Sequence, residues 1–206
     1  MPSSFMYGPR SISHKIIPSI DVYAFQKEDG SQIRAEWFRG KGFSKFGTKR
    51  RLFDESDNIF GEAPSLIYNK YGEDLERILH KMREQRVTLF FEFFGENSFA
   101  GNHIDEPHDV VLFDVDIFKK GIIPPSQFLK TFDSVEIAEL LYHGKIGPAI
   151  EEEIRSSQLP GIKFEGVVCK AIHRNQVRMF KVKTRAWLDR LRNYCAEDDN
   201  LFNQLK

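Results

Sequence analysis

The residues best suited to chemistry in this chain are glutamates and lysines spread over four short motifs. In chain order these are Lys27-Glu28-Asp29-Gly30, Glu92-Phe93-Phe94-Gly95, Glu165-Gly166-Val167-Val168 and Lys181-Val182-Lys183. Lys181 and Lys183 alternate on a predicted strand, so both side chains point to one face. Two ammonium groups on one face repel each other unless an anion lies there. The pair therefore favours a triphosphate ligand.

The order and spacing of these motifs resemble the nucleotidyltransferase motifs of ATP-dependent polynucleotide ligases and mRNA capping enzymes. The resemblance is closest to RNA ligases, whose first motif can read K-E-D-G-S as residues 27–31 do, and it spans roughly residues 20 to 185. It implies an α+β fold of the ligase-type nucleotidyltransferase core. That core has two antiparallel sheets flanked by helices, with ATP in the cleft between them.

The resemblance makes Lys27 the nucleophile that attacks the α-phosphorus of ATP and forms lysyl-AMP. Attack needs a neutral amine, and a free lysine has a pKa of about 10.4. Lys181, Lys183 and a bound divalent cation would lower the pKa of Lys27 and neutralise the triphosphate. Without the other motifs, Lys27 would be interpreted as a solvated residue of a β-hairpin.

Residues around the first motif receive roles from the same resemblance. Asp29 and Gly30 are expected to shape the turn that presents Lys27, with Gly30 supplying backbone freedom. Gln26 is a candidate for contacting the adenine edge; the alternative is that it points to solvent. Arg50 aligns with the arginine that holds ribose and phosphate. The basic run 49–51 is alternatively a solvated loop, and the choice between Arg50 and Arg51 stays open.

The downstream motifs supply the remaining predicted contacts. Glu92 would bind the ribose hydroxyls, unless it is a surface acid at a strand end. Phe113 would stack on the adenine, although ordinary core packing is the alternative in a chain with 19 Phe. Glu165 would engage Mg²⁺ (or Mn²⁺), which needs only a carboxylate or two besides water and phosphate oxygens. Lys181 and Lys183 would bind the phosphates of ATP.

Composition limits the class of protein. The 206 residues have a formal net charge of zero, but residues 34–51 and 163–192 are basic and residues 91–118 are acidic. This pattern suits a polyanion together with a divalent cation. The two cysteines lack metal-ligand spacing and are predicted to be reduced thiols. No apolar run is long enough to predict a membrane span or a signal peptide, so a cytoplasmic location is expected.

We expect one domain over residues 1–206, with a flexible arm at 1–14, a C-terminal helix at 184–206 and no OB domain. An Asp-Gly hairpin is predicted to join a strand at 20–25 to one at 33–38. Asp133 with Glu136 resembles a capping box for a helix that ends near Gly144. The other predicted helices are 73–86 and 148–157, and the other predicted strands are 87–94, 110–118, 162–172 and 177–183.

The function predicted on these grounds is ATP-dependent RNA ligation. AMP would pass from Lys27 to a 5′-phosphate RNA end, which is then sealed to a 3′-hydroxyl. RNA ends are the expected partners, and a protein partner could supply additional strand-binding surface. The alternatives are a non-catalytic nucleotide- or RNA-binding protein that keeps the pocket, and a DNA ligase or capping-type nucleotidyltransferase.

Overall fold

The computed structural model describes residues 21–96, 105–196 and 198–205. These residues divide into two compact units. One contains residues 30–96 and 105–138, and the other contains residues 21–29 and 139–205 apart from residue 197. The predicted arm at residues 1–14 lies outside the described residues.

The elements of both units follow in chain order. The strands are β1 (Asp21–Lys27), β2 (Gly30–Phe38), β3 (Gly42–Gly47), β4 (Leu52–Phe53), β5 (Arg86–Phe94), β6 (Asp109–Ile117), β7 (Gly121–Ile122), β8 (Leu140–Lys145), β9 (Gly166–His173) and β10 (Gln176–Lys183). The helices are α1 (Ala63–Met82), α2 (Pro125–Thr131), α3 (Pro148–Arg155), α4 (Arg185–Tyr194) and α5 (Asp199–Leu205).

The first unit is a six-stranded sheet in the order β4-β3-β2-β5-β6-β7, covered on one face by α1. Ile67, Tyr71, Leu75 and Leu79 recur every four residues along α1 and are all buried, as expected for an amphipathic helix. Polar contacts fix the helix on the sheet. The indole of Trp37 in β2 donates to Glu76 at 2.8 Å, and the hydroxyl of Tyr71 donates to a β6 carbonyl at 3.1 Å.

The second unit is a four-stranded sheet in the order β10-β9-β1-β8. One face is apolar and packs with Ile154 of α3 in a single core cluster. A second cluster joins Trp187 and Leu191 of α4 to Phe202 of α5. Because side chains alternate along each strand, the lysines of β1 and β10 lie on the face opposite the first cluster.

The predicted α+β architecture of two antiparallel sheets flanked by helices is confirmed. The strands predicted at 87–94 and 110–118 and the helix predicted at 148–157 match β5, β6 and α3 within two residues. The strand predicted at 177–183 lies within β10, whereas β9 begins four residues later than the predicted 162. The segment after Lys183 forms two helices where one was expected, and α1 begins ten residues before the predicted position 73.

Two local predictions were wrong. The Asp-Gly sequence does not form a hairpin, because β1 pairs with β8 and β9 while β2 pairs with β3 and β5. The chain changes sheets between Lys27 and Gly30. The segment from Asp133 towards Gly144 is also not a helix: residues 140–145 form β8, which pairs with β1. Gly144 has φ +149°, which is incompatible with a helix. Glu136 pairs with Lys70 at 3.1 Å instead of closing a capping box.

Candidate functional site

Three residues of the predicted motifs lie in one row across the four-stranded sheet. The strand register pairs Gly166 of β9 with Lys27 of β1 on one side and with Lys183 of β10 on the other. Gly166 has φ +130°, and a Cβ atom there would lie 2.2 Å from the carbonyl oxygen of Val182. A glycine is therefore required for this row to form, which explains the Glu-Gly pair in the motif.

The carboxylate of Glu165 bridges the two lysines of this row. Its Oε2 accepts from Nζ of Lys27 at 2.8 Å, and its Oε1 accepts from Nζ of Lys183. The side chain of Lys27 is 11% exposed, and those of Glu165 and Lys183 are 4% and 8% exposed. The second unit thus gathers the predicted nucleophile, the predicted metal ligand and one predicted phosphate-binding lysine around a single buried carboxylate.

Burial lowers the pKa of Lys183 to about 8, although the Glu165 carboxylate acts in the opposite direction. The positive charges of Lys27 and Lys181 lower it further. Lys181 lies two residues earlier on the same face of β10 and is exposed. The expected alternation of the two lysines on one face is therefore present. An anion bound here would relieve the repulsion among the three ammonium groups.

Trp187 of α4 contacts both Lys183 and Asp29. Nζ of Lys183 lies 3.7 Å from the ring centroid of Trp187, within the range of a cation–π interaction. The indole Nε1 donates to Oδ1 of Asp29 at 3.3 Å. Asp29 is 4% exposed. One side chain therefore connects the first motif to the last, and Asp29 acts as a buried acceptor rather than as a simple turn residue.

Thr184 positions Trp187 and Glu165 together. Its hydroxyl accepts from the backbone N–H of Trp187 at 3.1 Å, which caps α4, and donates to the carbonyl of Phe164 at 2.5 Å. Its backbone N–H donates to the carbonyl of Glu165 at 3.1 Å. Thr184 thus fixes both the start of α4 and the backbone at Glu165.

Gln26 is 4% exposed and both ends of its amide have backbone partners. Nε2 donates to the carbonyl of Lys27 at 2.9 Å, and Oε1 accepts from the backbone N–H of Lys163 at 3.0 Å. The ammonium of Lys163 also pairs with Glu28 at 2.5 Å. Gln26 does not point to solvent, and its amide links β1 to the segment before Glu165.

The lowered pKa of Lys183 predicts a specific pH dependence of stability. Between pH 8 and 10.5 the unfolded chain binds more protons at this residue than the folded chain does, so the free energy of unfolding rises with pH. Relative to Lys183→Met, the wild type should gain up to about 1.4 kcal/mol per pH unit across this window. Urea unfolding at pH 7, 8, 9 and 10 measures the difference. Lys181→Met, which removes an exposed lysine of the same strand, is the control; identical pH profiles for wild type and Lys183→Met would contradict the assignment.

The contact between Trp187 and Asp29 predicts an energetic coupling. Trp187→Phe keeps an aromatic ring beneath Lys183 but removes the indole donor. A buried hydrogen bond to a charged acceptor is worth roughly 1.5–3 kcal/mol. A double-mutant cycle with Asp29→Ala should therefore show about 1 kcal/mol or more of coupling in the free energy of unfolding. Strictly additive effects would show that the two side chains do not interact.

In the first unit, Gly30 and Glu92 lie on the neighbouring strands β2 and β5. A Cβ atom on Gly30 would lie 2.3 Å from the carbonyl oxygen of Phe93, so the glycine is required by close approach of β5. The backbone freedom predicted for Gly30 is not the reason, since its φ is not positive. Glu92 is half-buried and pairs in register with Gln32 and Val111.

Phe113 lies at an irregularity of β6. The register with β5 passes from Phe90–Asp114 to Phe91–Leu112, so Phe113 has no opposite residue. Such bulges redirect a side chain relative to the regular pleat. Phe113 is half-buried, whereas Leu112 and Asp114 on either side of it are fully buried. Its ring lies 6.3 Å from the ring of Phe90, and its partial exposure is what a stacking platform requires.

Arg50 and Arg51 differ in their surroundings. Arg51 pairs with Asp57, and its guanidinium lies 5.9 Å from the ring centroid of Phe60. Arg50 is exposed in the turn between β3 and β4, and its backbone N–H donates to Oγ1 of Thr48 at 3.2 Å. Within the described part of the chain its guanidinium has no carboxylate within salt-bridge distance. Arg50 is therefore the arginine of this turn that is available to a ligand.

The face of the six-stranded sheet opposite α1 carries buried polar side chains that the motif reasoning did not single out. The register aligns Glu36, Thr88 and Asp116 in one row across β2, β5 and β6, and all three are buried. Arg86 pairs with Glu36 at 3.0 Å. Burial, together with the nearby charge of Asp114, raises the pKa of Asp116 to about 6, while Arg86 opposes the shift.

The described residues do not form a protein-only metal centre. In residues 21–96, 105–196 and 198–205 there is no group of three or more His, Cys, Asp or Glu side chains that could hold a metal ion. Glu165 nevertheless fits Mg²⁺ or Mn²⁺, because Mg²⁺ commonly takes one or two carboxylates and completes its shell with water and substrate phosphates.

Among the helices of the described residues, none has the length and apolar character of a membrane-spanning segment.

Comparison with solved structures places this arrangement in a known fold. The chain superposes on the Naegleria gruberi RNA ligase. An alanine variant of that enzyme with ATP and Mn matches with a TM-score of 0.63 at 14% identity, covering 85% of this chain and 52% of the other. A second variant with AMP and Mn matches with a TM-score of 0.64 at 14% identity, covering 85% of this chain and 53% of the other. The enzyme with PPi matches with a TM-score of 0.63 at 14% identity, covering 86% of this chain and 53% of the other.

These matches bear out the resemblance at the level of the fold. The chain spans about half the length of the solved RNA ligases that it matches. No protein-family model and no curated protein sequence matches it. At 14% identity the likeness shows the fold alone, so the roles of individual residues depend on the geometry described above.

Trp187 and Thr184 are the site residues that sequence reasoning missed. Trp187 falls within the helix predicted at 184–206, but the sequence motifs assign it no role in the site. A threonine three residues before Trp187 is a typical N-cap, and this signal could have identified Thr184 as the cap of the predicted helix. No local signal could have shown the contact with Asp29, because 158 positions separate the two residues.

Proposed function

We propose that this chain is an ATP-dependent RNA ligase that acts through a covalent lysyl-AMP intermediate. The observation that carries the proposal is the buried Glu165 carboxylate, which bridges Lys27 and Lys183. A purely structural ion pair needs one cation for one carboxylate. A second ammonium group, with its pKa lowered, is instead suited to a site that receives a polyanion.

In the proposed first step, the neutral amine of Lys27 attacks the α-phosphorus of ATP. A P–N bond forms, the bond from the α-phosphorus to the bridging oxygen breaks, pyrophosphate leaves and the amine proton passes to solvent. Lys183 and Lys181 stabilise the charge that develops on the phosphates, in keeping with the dominant role of positioning and electrostatics in phosphoryl chemistry. Their positive charge also favours the neutral form of the Lys27 amine.

Glu165 is the proposed ligand of Mg²⁺ or Mn²⁺. A divalent cation at this position would supply Lewis-acid stabilisation of the phosphate oxygens. In its absence Glu165 hydrogen-bonds the Lys27 ammonium and stabilises the protonated form. Binding of the carboxylate to the cation would weaken this hydrogen bond and so favour the reactive neutral amine, while the carboxylate remains necessary to hold the cation.

Three further motif residues are proposed to contact the nucleoside and its phosphates. Glu92 would bind the ribose hydroxyls, Phe113 would stack on the adenine and Arg50 would bind ribose and phosphate. Phe113 is supported by its partial exposure at the bulge, and Arg50 is supported over Arg51 because Asp57 already engages Arg51. Gln26 remains a candidate for the adenine edge only if its two backbone hydrogen bonds are exchanged for ligand contacts.

Two further transfers would complete the reaction. The 5′-phosphate of an RNA end attacks the phosphorus of lysyl-AMP, the P–N bond breaks and Lys27 regains a proton. A 3′-hydroxyl then attacks the activated 5′-phosphate and loses its proton to solvent, which forms the phosphodiester and releases AMP. Both steps reuse the same cationic residues, because negative charge on the phosphate oxygens must be stabilised in each transition state.

The substrate preference is a testable part of this proposal. We expect ATP to be preferred over GTP and 5′-phosphorylated RNA to be preferred over nicked duplex DNA. The assay compares 5′-phosphorylated RNA, 5′-phosphorylated single-stranded DNA and a nicked duplex side by side, with either nucleotide. Sealing of the DNA nick without an RNA product, or lysyl-GMP in preference to lysyl-AMP, would favour a DNA ligase or a capping-type enzyme. Nucleotide binding without any covalent adduct would favour a non-catalytic binding protein.

A further inference from the structure

Three turns at one end of the six-stranded sheet carry a concentration of positive charge. Residues 39–41, 83–86 and 118–120 contain six cations and one carboxylate, that of Glu84. We call this set the basic turn cluster. Its cations are Arg39, Lys41, Arg83, Arg86, Lys119 and Lys120.

Backbone and side-chain contacts hold the three turns together. The backbone N–H of Arg39 donates to the carbonyl of Gln85 at 3.0 Å, and that of Phe118 donates to the carbonyl of Arg86 at 3.2 Å. The ammonium of Lys120 pairs with Glu84 at 2.7 Å. The cations of the cluster therefore lie on one connected surface of the first unit.

Half of these cations already have structural partners. Arg39 donates to the carbonyls of His80 and Glu84 at 2.9 and 3.1 Å, which satisfies the C-terminal end of α1. Arg86 pairs with Glu36 at 3.0 Å. With Lys120 engaged by Glu84, these three charges are explained by the fold.

The other three cations have no such explanation. Lys41, Arg83 and Lys119 are exposed, and none has a carboxylate within salt-bridge distance among the residues that the structure describes. Arg83 and Lys119 also adopt positive φ values, 58° and 67°, at positions where glycine or asparagine would be easier to accommodate. Two turns thus hold a long cationic side chain in a backbone conformation that disfavours it.

An exposed aromatic ring lies within the same surface. Phe118 is 42% exposed. The guanidinium of Arg86 lies 4.9 Å from its ring centroid and the ammonium of Lys119 lies 5.5 Å from it. Exposed aromatic rings among cations are the usual means by which proteins bind single-stranded nucleic acid, through stacking and phosphate contacts.

The cluster is separate from the residues assigned to nucleotide chemistry. Arg86 begins β5 and Glu92 lies six residues along it, which corresponds to roughly 20 Å of strand. We propose that the basic turn cluster binds the body of a single-stranded RNA substrate, with Lys41, Arg83 and Lys119 on phosphates and Phe118 against a base. The proposal deepens the RNA-ligase function and rests on it for the identity of the polyanion.

The test measures binding of a fluorescent, 5′-phosphorylated single-stranded RNA by anisotropy without ATP, over a series of salt concentrations. The cluster variant is Lys41→Gln/Arg83→Asn/Lys119→Asn, since asparagine tolerates positive φ. Its matched control, Lys130→Gln/Lys145→Gln/Arg174→Asn, removes three exposed cations elsewhere, including one at φ 50°. We expect the cluster variant to bind roughly thirtyfold more weakly and to lower the slope of log affinity against log salt by about two, because each phosphate contact in a single strand contributes about 0.7.

A second variant tests the ring. Phe118→Leu keeps the apolar volume and should weaken RNA binding by about tenfold through loss of stacking. Equal weakening by the cluster variant and its control, or tight binding to anionic phospholipid vesicles with none to RNA, would overturn the proposal. Self-adenylylation with ATP alone separates the two claims. If the cluster variant is adenylylated like the wild type but binds RNA weakly, the proposed RNA-binding surface is supported. If the wild type binds RNA through the cluster but is never adenylylated, only the proposed ligase function is contradicted.

Discussion

Replacing Lys27 with alanine should abolish covalent labelling by ATP, with a loss of roughly a thousandfold or more, equivalent to about 4 kcal/mol of barrier. The nucleophile supplies the bond to AMP, so no positioning effect can substitute for it. The measurement is transfer of label from α-labelled ATP to the protein in the presence of Mg²⁺. The fold should survive, because Glu165 keeps Lys183 as a partner.

Two further variants separate the chemistry from the ion pair. Lys27→Arg keeps a cation against Glu165 and should preserve stability while still failing to label, since a guanidinium stays protonated. Lys163→Ala removes a lysine that pairs with Glu28, outside the row of motif residues, and should label like the wild type. Label that persists in Lys27→Ala and maps to Lys183, Lys41 or Lys45 would contradict the assignment of the nucleophile.

Replacing Glu165 with glutamine should reduce the rate of adenylylation by about a hundredfold and raise the Mg²⁺ concentration needed for half-maximal labelling. The substitution keeps the shape of the side chain but removes the charge that bridges Lys27 and Lys183. Leaving the buried ammonium of Lys183 and the partly buried ammonium of Lys27 without a carboxylate should also destabilise the protein, by about 3 kcal/mol. Labelling at several metal concentrations and urea unfolding measure the two effects.

Glu28→Gln is the matched control for this experiment. Glu28 is a buried carboxylate that pairs with Lys163. Its backbone carbonyl accepts from Nζ of Lys27 at 3.2 Å, a contact that Glu28→Gln leaves in place. It should lose stability without changing the metal dependence. If Glu165→Gln and Glu28→Gln show the same metal dependence, the metal does not bind at Glu165.

The parts of the site that the sequence predicted are those determined by local geometry. The alternation of Lys181 and Lys183 follows from the two-residue period of a strand, and it is present in β10. Gly166 is required by its own φ and by the neighbouring strand. The convergence of Lys27, Glu165 and Lys183 was inferred from motif order, and the register of three strands provides it.

The errors and omissions come from long-range structure. The Asp29-Gly30 sequence favours a hairpin locally, but pairing of β1 with β8 and β9 overrides that preference. The same pairing draws residues 140–145 into a strand, although the capping-box pattern at Asp133 favours a helix. The contact of Trp187 with Asp29 depends on how α4 packs, which no short pattern encodes.

The most direct test of the central claim is peptide mapping of the wild-type protein after incubation with ATP and Mg²⁺, followed by mass spectrometry. The account predicts a single acid-labile AMP adduct on the peptide that contains Lys27, formed with release of one pyrophosphate per adduct and reversed by added pyrophosphate. Absence of any adduct while ATP binds, or an adduct on another residue, would contradict it.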